Sequence, residues 1–234
     1  MKAAAIIAAA GVGTRMQSAT PKPYLTLAGK PILAHTLAVF EAVPEVREIT
    51  LVVHPRELEN CQERVIDPYG FKKVLRLVPG GKERQDSVYQ GLKALMAAGE
   101  GELVLVHDGV RPLVRPEDIR RVLKAARRHG AAVLGWPAQD TLKRVNAQGE
   151  VLETLDRRQI WQIQTPQAFR TELLWRAFVA AYDRGFYATD EAALVEALPH
   201  PVRVVQGAPF NLKITTPADL VVAEALLARA GEGQ

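Results

Sequence analysis

One cysteine, Cys61, stands in 234 residues. No disulfide can close within the chain, and a reduced, cytoplasmic setting is expected. No stretch approaches the ~20 apolar residues of a membrane span, so no membrane partner is expected. Neither sign of charge dominates: 30 Lys and Arg against 26 Asp and Glu leave a net +4. That suits small anionic substrates and does not call for nucleic acid. The pairs Arg120–Arg121 and Arg127–Arg128 fall on a helical pattern and read as solvated face. Trp136, Trp161 and Trp175 are too scattered for a base-stacking platform. The five histidines keep no zinc spacing with Cys61 or a carboxylate, and no G-x-S-x-G elbow offers a serine nucleophile. The opening "MKAAAIIAAAGVG" has the look of a secretory leader, but its apolar run is short and runs straight into a specialised loop. It reads as a strand.

What is present is a 48% hydrophobic chain of a length that folds as one domain, 1–234, and buries roughly 70% of its unfolded surface. Strand-like runs alternate with helical ones. Strands are expected at 3–10, 48–53, 73–79, 102–108 and 131–137, and helices at 31–43, 56–67, 83–99 and 116–130. The last of these helices has acids at its front and bases at its end, as the helix dipole prefers. This rhythm implies an α/β fold, a mostly parallel sheet with helices on both faces. It breaks after Pro137. "DTLKRV" (140–145) and "VLETL" (151–155) flank the turn-like "NAQG", so 138–158 reads as an inserted β-hairpin arm. A lone hairpin is marginal in water, and a second copy of the chain is the economical cover. Helices near 171–184 and 190–198, a strand at 202–205 and a helix at 217–230 complete the pattern. "TDEAAL" from Thr189 reads as a helix cap followed by first-turn acids.

Sheets of this kind bind ligands beyond the carboxyl ends of their strands. Three unusual loops lie at such ends: 11–25, 80–87 and 108–115. The first, "GVGTRMQSATPKPYL", has Met16 where the dinucleotide fingerprint needs its third glycine, which speaks against a dehydrogenase, and it lacks the G-K-[ST] of a P-loop. Gly11 and Gly13 can expose backbone N–H groups, with Arg15 and Lys22 as flanking cations, a combination that suits a polyphosphate. Lys22, stiffened between Pro21 and Pro23, suits charge that develops in a transition state. A solvent-exposed turn with two surface cations is the plain alternative. Asp108 ends an apolar strand, where a carboxylate can help hold Mg²⁺ or form a turn with a salt bridge. Arg111 could meet another phosphate. Gly80 and Gly81 either let a base or ribose approach the backbone or simply break the structure. Ser87 reaches either a base edge or its own helix backbone.

Taken together, "AAAGVGTRM…PKPYL", "GGKERQDSV", "LVHDGVRP", "DTLKR" and "TPQAF" resemble the 2-C-methyl-D-erythritol 4-phosphate cytidylyltransferases, from Ala8 to Lys213 and the last helix. The resemblance implies a Rossmann-like domain of the nucleotide-diphospho-sugar transferase type. It implies a Mg²⁺-dependent transfer from CTP to methylerythritol phosphate with release of pyrophosphate. It places Ala9, Ala10, Gly11, Gly13, Gly81, Arg84, Ser87 and Asp108 around CTP, with Asp108 as the metal carboxylate. Arg15, Lys22, Arg157 and Lys213 take catalytic roles, and Arg111, Thr141, Arg157, Thr165 and Lys213 the acceptor pocket. The hairpin becomes the arm of a homodimer. Ala8, Gly109 and Val110 depart from the family pattern, where a proline and two alanines are common. Transfer to ribitol 5-phosphate, or nucleotide sensing without turnover, are the rival readings.

Overall fold

The structure is a computed structural model and describes residues 2–11, 20–99 and 101–232. Its strands are β1 (Ala3–Ala9), β2 (Thr26–Leu27), β3 (Lys30–Pro31), β4 (Val46–Val53), β5 (Val74–Pro79), β6 (Leu103–Asp108), β7 (Ala131–Pro137), β8 (Lys143–Val145), β9 (Val151–Thr154), β10 (Trp161–Arg170) and β11 (Arg203–Gln206). Seven form one sheet in the order β11-β7-β10-β6-β1-β4-β5, while β2–β3 and β8–β9 are separate ribbons. The helices are α1 (Ile32–Ala42), α2 (Leu58–Cys61), α3 (Asp67–Tyr69), α4 (Arg84–Ala97), α5 (Pro116–His129), α6 (Thr171–Asp183), α7 (Glu191–Glu196) and α8 (Pro217–Glu232). A π-helical turn, Gln62–Ile66, joins α2 to α3.

Strand periodicity sorts the core into two layers. Ala3, Ala5, Ile7 and Ala9 of β1 face α1 and α5, where Leu37, Phe40, Ile119 and Val122 lie buried with Cys61 and Val65. Ala4 and Ile6 face the other way, onto Val88 and Leu92 of α4 and Phe178 of α6. Both faces of the sheet are therefore covered, as the near-continuous apolar runs imply. A smaller cluster of Leu27, Ile32, Val110, Ile214 and Ala223 seats α8 beside β2. The helix ends follow their sequence signals. Glu83 and Asp86 form a reciprocal capping box at the start of α4. Gly130, at φ +89°, closes α5 in a backbone conformation that favours glycine.

β10 is the main departure from the expected pattern. Residues 161–170 carry no strand-like apolar run, yet they form the longest strand, antiparallel to both β6 and β7. Gln162, Gln164, Gln167 and Pro166 disguise it. Proline donates nothing to a ladder, and the pairing with β7 shifts register between Gln164 and Gln167, around Pro166. The hairpin appears where expected. Its strands are shorter, pair only with each other, and are exposed throughout. Asn146 Oδ1 accepts from the N–H groups of Gln148 and Glu150, and Gly149 takes φ +83° to close the turn.

Candidate active site

The carboxyl ends of β1, β5 and β6 open into one cleft of about 270 Å³. It is lined by Ala8 to Gly11, by Lys22 and Pro23, by Gly81 to Arg84 with Ser87, and by Asp108, Val110 and Lys213. Three loops far apart in sequence thus meet, as the strand-end argument requires. Gly13 and Arg15 lie outside the described residues. Lys22 opens a single 3₁₀ turn after Pro21 and is 8% exposed.

The two glycines before α4 are set by space. A Cβ on Gly80 would stand 2.4 Å from the Ala10 Cβ, and one on Gly81 would stand 2.4 Å from the Asp86 Cβ. A side chain on Gly80 would push this loop off the β1 loop, and one on Gly81 would push it off α4. Ser87 Oγ accepts from the Gly81 N–H at 3.1 Å and donates to the Glu83 carbonyl at 3.0 Å. It therefore ties the loop to α4 while also lining the cleft.

Asp108, 5% exposed, is the electrostatic centre. Its Oδ1 accepts from Arg84 Nε at 3.0 Å; its Oδ2 accepts from Arg111 Nε at 3.3 Å and forms an ion pair with Lys213 Nζ at 3.1 Å. Burial alone would raise its pKa, but Arg84, Lys213 and Arg111 together hold the carboxyl well below the usual range. Behind it, the Asp108 N–H donates to Thr165 Oγ1 at 3.1 Å. His107 is fully buried, and burial pushes its pKa down to about 3 against the pull of Asp108. The neutral ring has one N–H. Its Nε2 faces the Arg111 carbonyl at 3.1 Å, which can only accept, so Nε2 carries the hydrogen. Nδ1 then accepts the Thr165 hydroxyl at 3.0 Å.

Of the acceptor-pocket residues, only Lys213 lines the cleft. Arg111 lies behind Asp108 and donates to the Asn211 carbonyl at 2.7 Å. Thr165 donates its hydroxyl hydrogen to His107 and accepts the Asp108 N–H. Thr141 and Arg157 are exposed on the arm, away from the cleft lining, with the Arg157 guanidinium donating to the Gln139 carbonyl.

Two working residues carried no local signal. Glu191 has the pattern of a first-turn acid, but Asp190 is the cap of α7, and Glu191 is 1% exposed, gripping Arg84 through both oxygens at 2.8 and 3.1 Å. Gln167, 1% exposed, donates to Asp190 Oδ2 and accepts the Ala192 N–H. Only the folding of β10 beside α7 reveals either role.

The family model described as 2-C-methyl-D-erythritol 4-phosphate cytidylyltransferase matches residues 3–229. An enzyme of that name from Desulforamulus reducens is 50% identical over 225 residues, covering 96% of this chain and 95% of the relative. The crystal structure of 4-diphosphocytidyl-2C-methyl-D-erythritol synthase from Anaerococcus prevotii superposes with a TM-score of 0.85 at 34% identity, over 97% of this chain and 96% of that one. The crystal structure of 2-C-methyl-D-erythritol 4-phosphate cytidylyltransferase from Thermus thermophilus gives 0.80 at 37% identity, over 97% and 100%.

Proposed function

The chain belongs to the 2-C-methyl-D-erythritol 4-phosphate cytidylyltransferase family, and on that premise we propose how its own residues carry the reaction. The enzyme transfers a cytidylyl group from CTP to 2-C-methyl-D-erythritol 4-phosphate in isoprenoid precursor synthesis. An oxygen of the acceptor phosphate attacks the α-phosphorus, the bridging bond to the β-phosphate breaks, and pyrophosphate leaves. A phosphate monoester has a second pKa of about 6, so the nucleophile is already charged at neutral pH and needs no general base. The barrier is the approach of two polyanions. Lys22 and Lys213, which both line the cleft, offset that repulsion, together with Arg15, which shares the loop of Lys22 in sequence.

The observation that carries this assignment is the Asp108 cluster. One carboxylate of the cleft lining pairs with three cations, Arg84 and Lys213 in the lining and Arg111 behind it, so positive charge is fixed in place before any phosphate arrives. The close-packed Gly80–Gly81 turn beside Ala10 and Ser87 forms the base side. On this reading Lys213 in the lining and Arg111 behind it serve the acceptor phosphate, with Thr141 and Arg157 delivered by the arm of a second copy. The exposed Val145, Val151 and Leu152 of the arm support that pairing.

The family implies a divalent metal, and the residues fit Mg²⁺. Among the described residues no three His, Cys, Asp or Glu side chains gather, so a site made by protein alone is not supported. Mg²⁺ instead keeps waters and takes one or two carboxylates plus substrate phosphates. Asp108 Oδ1 and Oδ2 each accept one hydrogen bond, and Oδ2 also faces the Lys213 ammonium as an ion pair, so Oδ1 is the less engaged oxygen with a lone pair to offer. When bound there, the ion would neutralise phosphate charge. Among the described residues, no helix is long and apolar enough to cross a membrane, and the buried Cys61 suits a reducing cytoplasm.

Pyrophosphate release with CTP and Mg²⁺ tests the assignment. Release with methylerythritol phosphate and none with ribitol 5-phosphate is expected. The reverse preference would move the acceptor, and CTP binding without release would leave only a nucleotide-binding module.

A further inference from the structure

We infer that Glu191 is a positioning residue for the transfer: it fixes the Arg84 guanidinium at the cleft wall, and Gln167 of β10 fixes Glu191. The inference rests on Arg84 and Asp108 serving the nucleotide, as set out above.

The geometry is a chain of clamps. Arg84 commits three of its five N–H groups to carboxylates: Nε to Asp108, and one hydrogen each from Nη1 and Nη2 to Glu191. Both Glu191 oxygens accept, which requires the ionised carboxylate. A guanidinium held at both edges is restrained from rotating, and among the described residues one N–H on each Nη is left for a ligand. Arg84 is the first residue of α4 and lines the cleft, so its own backbone does not fix a long side chain.

Glu191 is anchored in turn. It sits in the first turn of α7, and Gln167 clamps that turn from both sides, donating to Asp190 Oδ2 at 2.7 Å and accepting the Ala192 N–H at 3.0 Å. Two residues earlier on β10, Thr165 holds the Asp108 backbone at 3.1 Å. One strand therefore sets both ends of the Asp108–Arg84–Glu191 line. This accounts for two buried polar side chains, Glu191 and Gln167. Buried polar groups of this kind serve position only when every member is satisfied, and here both are.

A double-mutant cycle on the full-length enzyme tests this, with kcat and KM for CTP and acceptor, and thermal unfolding, measured for Arg84→Met, Glu191→Gln and the pair. A positioning residue acts only through its client. Glu191→Gln is expected to lower kcat/KM for CTP about tenfold or more, with the KM for the acceptor unchanged. In the Arg84→Met background, adding Glu191→Gln is expected to cause no further loss. Glu191→Asp is expected to recover part of the loss. Equal losses from Glu191→Gln in both backgrounds would show a general structural role and overturn the inference. Full activity in Glu191→Gln beside a defective Arg84→Met would also overturn it while leaving the nucleotide role of Arg84 intact. An Arg84→Met enzyme as active as the parent would instead overturn that underlying role. Should Glu191→Gln not fold, Gln167→Met replaces it in the same cycle, because it loosens α7 with both charges kept, and the same non-additivity is required.

Discussion

Lys22 is held rather than merely present. Pro21 precedes it, Pro23 follows it, and the 3₁₀ turn Lys22–Tyr24 buries all three of its residues. A cation whose position is set before binding stabilises charge that appears only in the transition state, without reorganisation. Lys22→Ala is expected to lower kcat by about a hundredfold or more while the unfolding temperature holds. Near-normal turnover would remove Lys22 from the mechanism. Cys61 makes a different prediction at the same scale. Burial raises its pKa to about 11, with nearby Tyr24 opposing and Glu57 assisting. The unfolded thiol titrates near 8.5. Between these values the folded state keeps a proton that the unfolded state has lost, so stability falls as pH rises, by about 1.4 kcal/mol per unit. Tyr24, raised by burial, adds to the fall above about pH 10. Urea unfolding across pH 7 to 10.5 should show this slope, and Cys61→Ala should delay its onset to the tyrosine range. An unchanged onset in that variant would place the titrating group elsewhere. Residue identity alone announced Lys22 and Asp108, because a cation between prolines and a carboxylate at a strand end are local patterns. It could not announce Glu191, whose partner is 107 positions away.

Among the elements, α4 carries the site and is also the tightest fit. A Cβ on Gly91 would lie 2.8 Å from Ile6 Cγ2 and 2.9 Å from Val52 Cγ2, both fixed on the sheet. Two effects compete in Gly91→Ala. Helix propensity favours alanine by about 1 kcal/mol, and overpacking a stiff β-branched surface costs typically about 1–3 kcal/mol. The contacts are close enough for packing to win. The variant is therefore expected to lose up to about 2 kcal/mol in urea unfolding and, because the shift would move Arg84 and Ser87, to weaken CTP binding. A stabilised variant would show that α4 can rise off the sheet freely. The same element shows what periodicity reveals: α4, α5 and the parallel strands announce themselves because a buried face repeats at a fixed spacing. β10 does not. Its glutamines tie the loop at Ala208, Asn211 and α7 together, so function overwrote the strand pattern.

In the whole molecule, the cleft and the arm stand apart. Thr141 and Arg157 lie on an exposed segment whose hairpin pairs only with itself, while Lys22, Asp108 and Lys213 gather at the strand ends. An isolated two-stranded hairpin is marginal in water, and Val151 and Leu152 are 59% and 61% exposed. A symmetric pair of chains resolves both facts if each arm covers the partner's cleft. The arrangement has a consequence that one chain acting alone cannot imitate. Suppose Lys22→Ala destroys a cleft and Arg157→Ala destroys an arm. Each variant by itself then has no intact site. In a mixed dimer, the cleft of the Arg157→Ala chain meets the arm of the Lys22→Ala chain, and that site is whole. Random exchange makes half the dimers mixed with one intact site in two, so an equimolar mixture, unfolded and refolded together and assayed with acceptor far below the KM of the Arg157→Ala variant, should recover about a quarter of the parental activity. Arg157→Ala alone should act mainly through the KM of the acceptor phosphate. If the arm instead serves its own cleft, mixing recovers nothing, because every cleft carrying Lys22 still pairs with a defective Arg157.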